Sequence, residues 1–228
     1  LAQERVHVGR WLIGAVKPHL MVTDPPYAIY GSASGISSSV ADDGMVRPFF
    51  LDILRLAQEA TVEYAHAYVC CDWRSWPSWW EMAKRTALEP KNLIVWVKAS
   101  SGLGNNWANI YELVGYFVHM PPQHTMTSGR RSGMRAVLRP NVLRHSRVQG
   151  EERQHNAAKP VALMQDLITA ATDPGERVLD PFGGSGSTLI ACEREGRGCL
   201  MVEKHTRYCD VIRARYAAEV GDPSLAPG

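Results

Sequence analysis

Two stretches of the chain gather side chains that could do chemistry. In VTDPPYAIYG, at 22–31, apolar residues run into Asp24, Pro25, Pro26 and Tyr27. Neither proline can donate a backbone hydrogen bond, and each biases the residue before it towards extended backbone. A strand must therefore stop here and pass into a stiff loop. That loop presents the Asp24 carboxylate, the Pro25 carbonyl and the Tyr27 ring beyond the sheet edge, where ligands sit in open α/β sheets. In LDPFGGSGSTLIACEREG, at 179–196, a strand ends in Asp180 and passes through Phe182, Gly183, Gly184, Ser185 and Gly186 into a helix that opens with Ser187 and Thr188. Such a turn lets a ligand approach bare backbone and a helix N-terminus. The next strand, GCLMVE, ends in Glu203, twenty residues after Gly183. An acid placed there could accept hydrogen bonds from the two hydroxyls of a ribose. Strand, glycine turn, helix, strand and acid together read as half of a nucleoside-cofactor site. No Gly-Lys-[Ser/Thr] follows, so the turn is not a P-loop; it is not G-x-G-x-x-G either, and Ser187 stands where a nucleophile elbow needs its last glycine.

These groups need a scaffold, and the apolar pattern supplies one. HLMVT (19–23), AHAYVCC (65–71), NLIVWVK (92–98), YELVGYFVHM (111–120), RVLD (177–180) and GCLMVE (198–203) read as strands with few polar breaks. Apolar residues at helical spacing predict helices over 48–63, 78–88 and 160–172, one following the glycine turn, and one from about Thr206 to Glu219. Near-continuous apolar strands interleaved with helices imply a mostly parallel sheet covered on both faces. The 228 residues are 45% hydrophobic and 21% charged, which suits a single globular domain over 1–228. The GDPSLAPG tail at 221–228 reads as disordered.

No run of 18 or more apolar residues occurs and no signal-peptide core opens the chain, so a soluble, cytoplasmic protein is expected. The five cysteines form no C-x-x-C pair, so neither a disulfide nor a zinc site is expected. The net charge of +2 is small but uneven, because seven arginines fall between Arg130 and Arg153 against two glutamates. That segment has little apolar periodicity and reads as a loop-rich insertion over 121–155. CDWRSWPSWW, at 71–80, packs in four tryptophans, whose default role is core or interface and whose alternative is stacking on bases.

On these residues the chain resembles the S-adenosylmethionine-dependent amino-methyltransferases of DNA. DPPY is similar to the family's catalytic motif, DPFGGSG to its F-x-G-x-G cofactor motif, and HNAAKP at 155–160 to its H-x-x-x-K-P segment. The order, catalytic motif first and cofactor motif last with a variable segment between, matches the circularly permuted beta class. The resemblance implies a Rossmann-like, doubly wound α/β sheet with one reversed strand, S-adenosylmethionine as cofactor and double-stranded DNA as partner, with a second copy of the chain as a further candidate partner. Asp24 and the Pro25 carbonyl would accept the two N–H groups of an exocyclic amine while Tyr27 stacks on a flipped-out base, with Pro26 stiffening the loop. Asp24, Lys159, Asp180, the turn from Phe182 to Thr188 and Glu203 would meet the cofactor. The insertion would be the target-recognition region, placing Arg130, Arg131, Arg135, Arg139 and Arg144 on DNA.

In the family, Asp at the first catalytic position goes mostly with adenine N6 and Ser with cytosine N4, while related motifs serve amines and amides outside DNA. No Pro-Cys pair exists, so C5-cytosine chemistry is excluded. One departure stands out: Arg10 occupies the place of an acid that usually approaches the cofactor's adenine, with only 13 residues between it and Asp24. A catalytically silent homologue is therefore the other reading that the sequence leaves open.

Overall fold

The computed structural model describes residues 17–26, 43–100, 106–121, 138–146 and 158–227. Within them one seven-stranded sheet is built from β1 (Leu20–Thr23), β2 (His66–Cys71), β3 (Leu88–Val97), β4 (Tyr111–His119), β5 (Val142–Arg144), β6 (Arg177–Asp180) and β7 (Gly198–Met201), in the order β5-β3-β4-β2-β1-β6-β7. β1 pairs in parallel with β2 and β6, β6 with β7, and β3 with β5. β4 alone runs against its neighbours β2 and β3. The sheet is thus mostly parallel with one reversed strand, as expected.

The central strands are mostly apolar and almost wholly buried because helices cover both faces. On one face α1 (Asp43–Ala60) and α2 (Trp76–Ala83) bury Phe50, Ile53, Leu54 and Trp79 against Met21, Val69 and Leu179. The other face carries α3 (Val161–Ala171) and α4 (Ser187–Arg194), which pack Leu163, Leu167, Ile168 and Ala191 on Leu20, Val22, Cys70 and Val178. A last helix, α5 (Thr206–Val220), lies beside α4 and buries little beyond Ala217. Among the described residues no helix is long and apolar enough to cross a membrane.

Several boundaries differ from the sequence reading. α1 starts five residues before Pro48 and keeps that proline inside, so one i→i−4 hydrogen bond is forgone. Burial of Val46 extends the apolar stripe by one turn and accounts for the longer helix. α2 stops at Ala83, and β3 begins at Leu88 because its pairing with β4 runs back to Leu88 and His119. Pro90 is accommodated at a register shift between Pro90 and Asn92. Part of the expected loop-rich insertion belongs to the sheet, since β5 pairs with β3 through Val95 and Val142. A three-residue strand is too short to show a period. Past Gly221, where a disordered tail was expected, Asp222 accepts a hydrogen bond from the Ser224 N–H and starts a 3-10 turn over Pro223–Leu225. The tryptophans divide: Trp79 stacks on Phe50 at 3.9 Å in the core, whereas Trp73 and Trp80 are exposed.

Candidate active site

β1 and β6 are neighbours, but the chain leaves them in opposite directions, β1 towards β2 and β6 towards β7. Their carboxyl ends therefore flank a topological switch point, where an open α/β sheet forms a crevice. Asp24 follows β1 and Asp180 ends β6, so both informative stretches converge there. Side chains alternate along a strand. Val22, Cys70, Trp96, Val114 and Val178 face α3 and α4, so Asp24, Lys98, Glu112 and Asp180, each two residues or a multiple of two away, emerge on that same face.

Lys159, two residues before α3, lies among them. Its ammonium is 2.6 Å from Asp24 Oδ2 and 3.3 Å from Glu112 Oε2. Lys98 Nζ in turn lies 2.5 Å from Glu112 Oε1 and 5.4 Å from the Trp96 ring centroid. The result is an alternating run of charges: Asp24, Lys159, Glu112, Lys98. Burial by itself would lower the pKa of Lys159, but Asp24 and Glu112 outweigh it and raise the pKa above the ordinary lysine value. For Glu112, burial would raise the pKa, yet Lys159 and Lys98 together hold it below the usual glutamate value. The Cys70 thiol beneath is pushed well up by burial and then by Asp24. Lys159 is thus tied to Asp24 as well as lying next to the glycine turn, whose Ser187 hydroxyl donates to the Lys159 carbonyl at 2.7 Å.

The turn owes its glycines to two causes. At Gly183 a Cβ would sit 2.7 Å from Cγ and Sδ of Met201, so a side chain is barred by packing on β7. Gly184 and Gly186 have φ of +54° and +82°, backbone that L side chains rarely adopt. Among the described residues a Cβ on Gly184 would meet nothing nearer than 3.9 Å, so they leave space beside it. Glu203 lies two residues beyond β7; its Oε2 accepts from the Gly184 N–H and its Oε1 from the His205 N–H, each at 2.8 Å. Ser185 is buried, and its carbonyl accepts from Arg215 of α5. Phe182 packs edge-on against Phe49 and donates its N–H to Asp180 Oδ1 at 3.0 Å.

Asp180 is buried, and the Thr188 hydroxyl donates to its Oδ2 at 2.6 Å. Burial pushes its pKa up to about 6, against the pull of the Thr188 and Phe182 hydrogen bonds. A raised acid favours the folded state in its protonated form. That contribution is complete below the unfolded value of about 3.9 and is lost as pH rises through about 6. Asp180→Asn should therefore gain on the wild type by on the order of 2 kcal/mol between about pH 4 and pH 7 in denaturant titrations. A gap that stays constant across that window would contradict a buried, ionising Asp180.

Pro25 is buried and Pro26 exposed. The expectations for Tyr27, Arg10, Arg130, Arg131 and Arg135 lie outside the described residues. Arg139 does not stand free: its guanidinium donates to the Asp166 carbonyl and the Thr169 hydroxyl of α3, at 3.4 and 3.2 Å. Arg144 is exposed on the edge strand β5. Sequence reasoning passed over Glu112 and Lys98. Their signal was a charge at the end of an apolar strand, in VWVK and YELV, but their meeting depends on β3 and β4 pairing antiparallel. Among the described residues no group of three or more His, Cys, Asp or Glu side chains could hold a metal ion.

The profile of the DNA methylase family matches residues 18–214. DNA adenine methyltransferase YhdJ of Escherichia coli K12 is 23% identical over 239 residues, spanning 91% of this chain and 81% of that protein. Among solved structures, M1.HpyAVI in complex with SAM superposes with a TM-score of 0.67 at 23% identity, over 88% of this chain and 89% of its own. The cytosine-N4-specific PvuII DNA methyltransferase superposes with a TM-score of 0.69 at 18% identity, over 91% of this chain and 84% of its own. At these identities the structural likeness is one of fold.

Proposed function

The chain belongs to the DNA methylase family of N6/N4 type, and from that premise we propose that it transfers a methyl group from S-adenosylmethionine to the N6 amine of adenine in double-stranded DNA. The observation that carries this reading is the convergence, at one switch point, of the Asp24 carboxylate with the glycine turn and Glu203. S-adenosylmethionine fits the residues present. The described residues leave space beside Gly184, and each Glu203 oxygen, with one backbone N–H bound, keeps a lone pair for a ribose hydroxyl. Thr23 Oγ1, buried next to Asp24 in sequence, has no hydrogen-bond partner among the described residues.

When bound, S-adenosylmethionine supplies a methyl group on a sulfonium; the C–N bond forms as the S–C bond breaks, sulfur keeps the bonding pair, and the amine gives up one proton. The chain's own task is to aim the amine. An exocyclic amine on a base ring is a weak nucleophile because its lone pair is delocalised. Asp24 and the Pro25 carbonyl accept its two N–H groups and draw the nitrogen towards tetrahedral geometry, with the lone pair directed at the methyl group. Tyr27 stacks on the base, which must leave the duplex to arrive there. Asp24, rather than Ser, at the head of the motif supports adenine, and the likeness to YhdJ agrees.

Arg130, Arg131 and Arg135 supply phosphate contacts. Changing all three to Ala is expected to weaken DNA binding and to flatten its log–log salt dependence by up to about three units. An unchanged slope would return the segment to a solvated loop. The reading as a whole is tested by sequencing DNA, with modified bases called, from cells that express the protein. Methylated adenine should appear with the wild type and vanish with Asp24→Ala; no modification at all would overturn the proposal.

A further inference from the structure

Glu112 belongs to neither motif, yet it lies at the centre of the charged run behind Asp24. Its position follows from topology. β4 is reversed, so it begins at the level where β1 and β2 end, and its second residue lies at the carboxyl edge with Asp24. Strand parity then sends Glu112 to the α3 face, where Lys159 and Lys98 meet its two oxygens. Lys159 and Lys98 are 7% and 8% exposed, so both cations are held almost out of water. Ion pairs of this kind are poor sources of stability, because desolvation costs about as much as the attraction returns. Three of them, linking four charges along the floor of a catalytic crevice, suit a positioning task better than a stabilising one.

We propose that Glu112 is a positioning residue for methyl transfer, sharing Lys159 with Asp24 so that the Asp24 carboxylate remains set to receive the target amine. This rests on the methyl-transfer reading above. An ammonium has three donors and can serve both carboxylates at once. With Glu112 ionised, the run of four charges is formally neutral. Without it, Lys159 loses one of the two carboxylates that share it, bears more heavily on Asp24, and competes with the amine for that carboxylate. The orientation of Asp24 is then set by Lys159 rather than shared with the substrate. Glu112 touches neither amine nor cofactor in this scheme; it acts through Lys159.

The test compares wild type, Glu112→Gln and the double variant Lys98→Met/Glu112→Gln for steady-state methyl transfer to DNA, S-adenosylmethionine affinity by calorimetry, and thermal melting. Glu112→Gln is expected to lower kcat by about tenfold or more, with cofactor Kd within about threefold of wild type. The double variant removes the Lys98 charge together with that of its partner. It should melt close to wild type and remain as slow as the single variant. Recovery of kcat in the double variant, or a kcat within about twofold of wild type in either folded variant, would overturn the proposal. Failure of both variants to fold would overturn it too, since Glu112 would then be a structural residue. Absence of transfer by the wild type itself would instead overturn the parent reading.

Discussion

Asp24→Ala is expected to lose at least about 10²- to 10³-fold in methyl transfer, the scale on which removal of one preorganised hydrogen-bonding group acts on a transition state. Cofactor affinity should stay within about tenfold, or 1.4 kcal/mol. The reason is geometric. Asp24 sits just beyond β1, one oxygen 2.6 Å from Lys159, and its side chain is 25% exposed, so the carboxylate reaches the crevice while anchored from behind. The glycine turn and Glu203 are braced independently, through Gly184 and His205. Asp24→Asn keeps the shape but presents donors as well as acceptors, and should lie between alanine and wild type. Single-turnover transfer of a labelled methyl group measures both variants. Wild-type turnover by Asp24→Ala would remove Asp24 from the chemistry.

Lys159→Met should produce the largest stability change. It leaves Asp24 without its ammonium and removes one of the two cations that hold Glu112 ionised. Removing one partner of a buried ion pair costs about 3–5 kcal/mol, because the remaining charge stays desolvated. The pH dependence has a definite sign. Glu112 is held below its ordinary value, so its contribution is present above the unfolded value of about 4.3 and is lost as pH falls through the lower, folded value. In Lys159→Met that depression is weakened, so the gap to wild type should be widest near neutral pH and narrow as Glu112 protonates on acidification. Urea titrations at several pH values measure it. A gap that widens on acidification would mean that Lys159 does not hold Glu112 ionised. Methyl transfer by Lys159→Met should fall as well, since Asp24 loses its anchor.

Much of this arrangement was legible in the chain, for local reasons. LMVT, HAYVCC and RVLD place apolar residues on both faces because helices cover both, and that pattern marks their strand character. Asp24 and the 182–188 turn were identifiable because proline and glycine chemistry acts within a few residues. What escaped depends on pairing across the chain. Glu112 meets Lys159 across 47 positions of sequence and a reversed strand, and no local pattern carries that. β5 is three residues long and is secured by non-local bonds, Trp96 Nε1 to the His145 carbonyl at 2.9 Å and His145 to Asp166 at 2.8 Å. Pro48 concealed the first turn of α1, since proline is a stronger breaker in isolated sequence than in a packed helix. Of the three turn glycines, Gly183 is set by contact with Met201 and Gly186 by positive φ with Ile212 close by, while Gly184 combines positive φ with space left by the described residues.

The central claim is that Asp24 and the glycine turn aim an adenine amine at a methyl group. The most direct test incubates purified protein with unmodified double-stranded DNA and S-adenosylmethionine carrying a heavy-isotope methyl group, digests the DNA to nucleosides and resolves them by mass spectrometry. The account predicts labelled N6-methyladenine from wild type and none from Asp24→Ala. Label found only in N4-methylcytosine, or in no nucleoside at all, would contradict it.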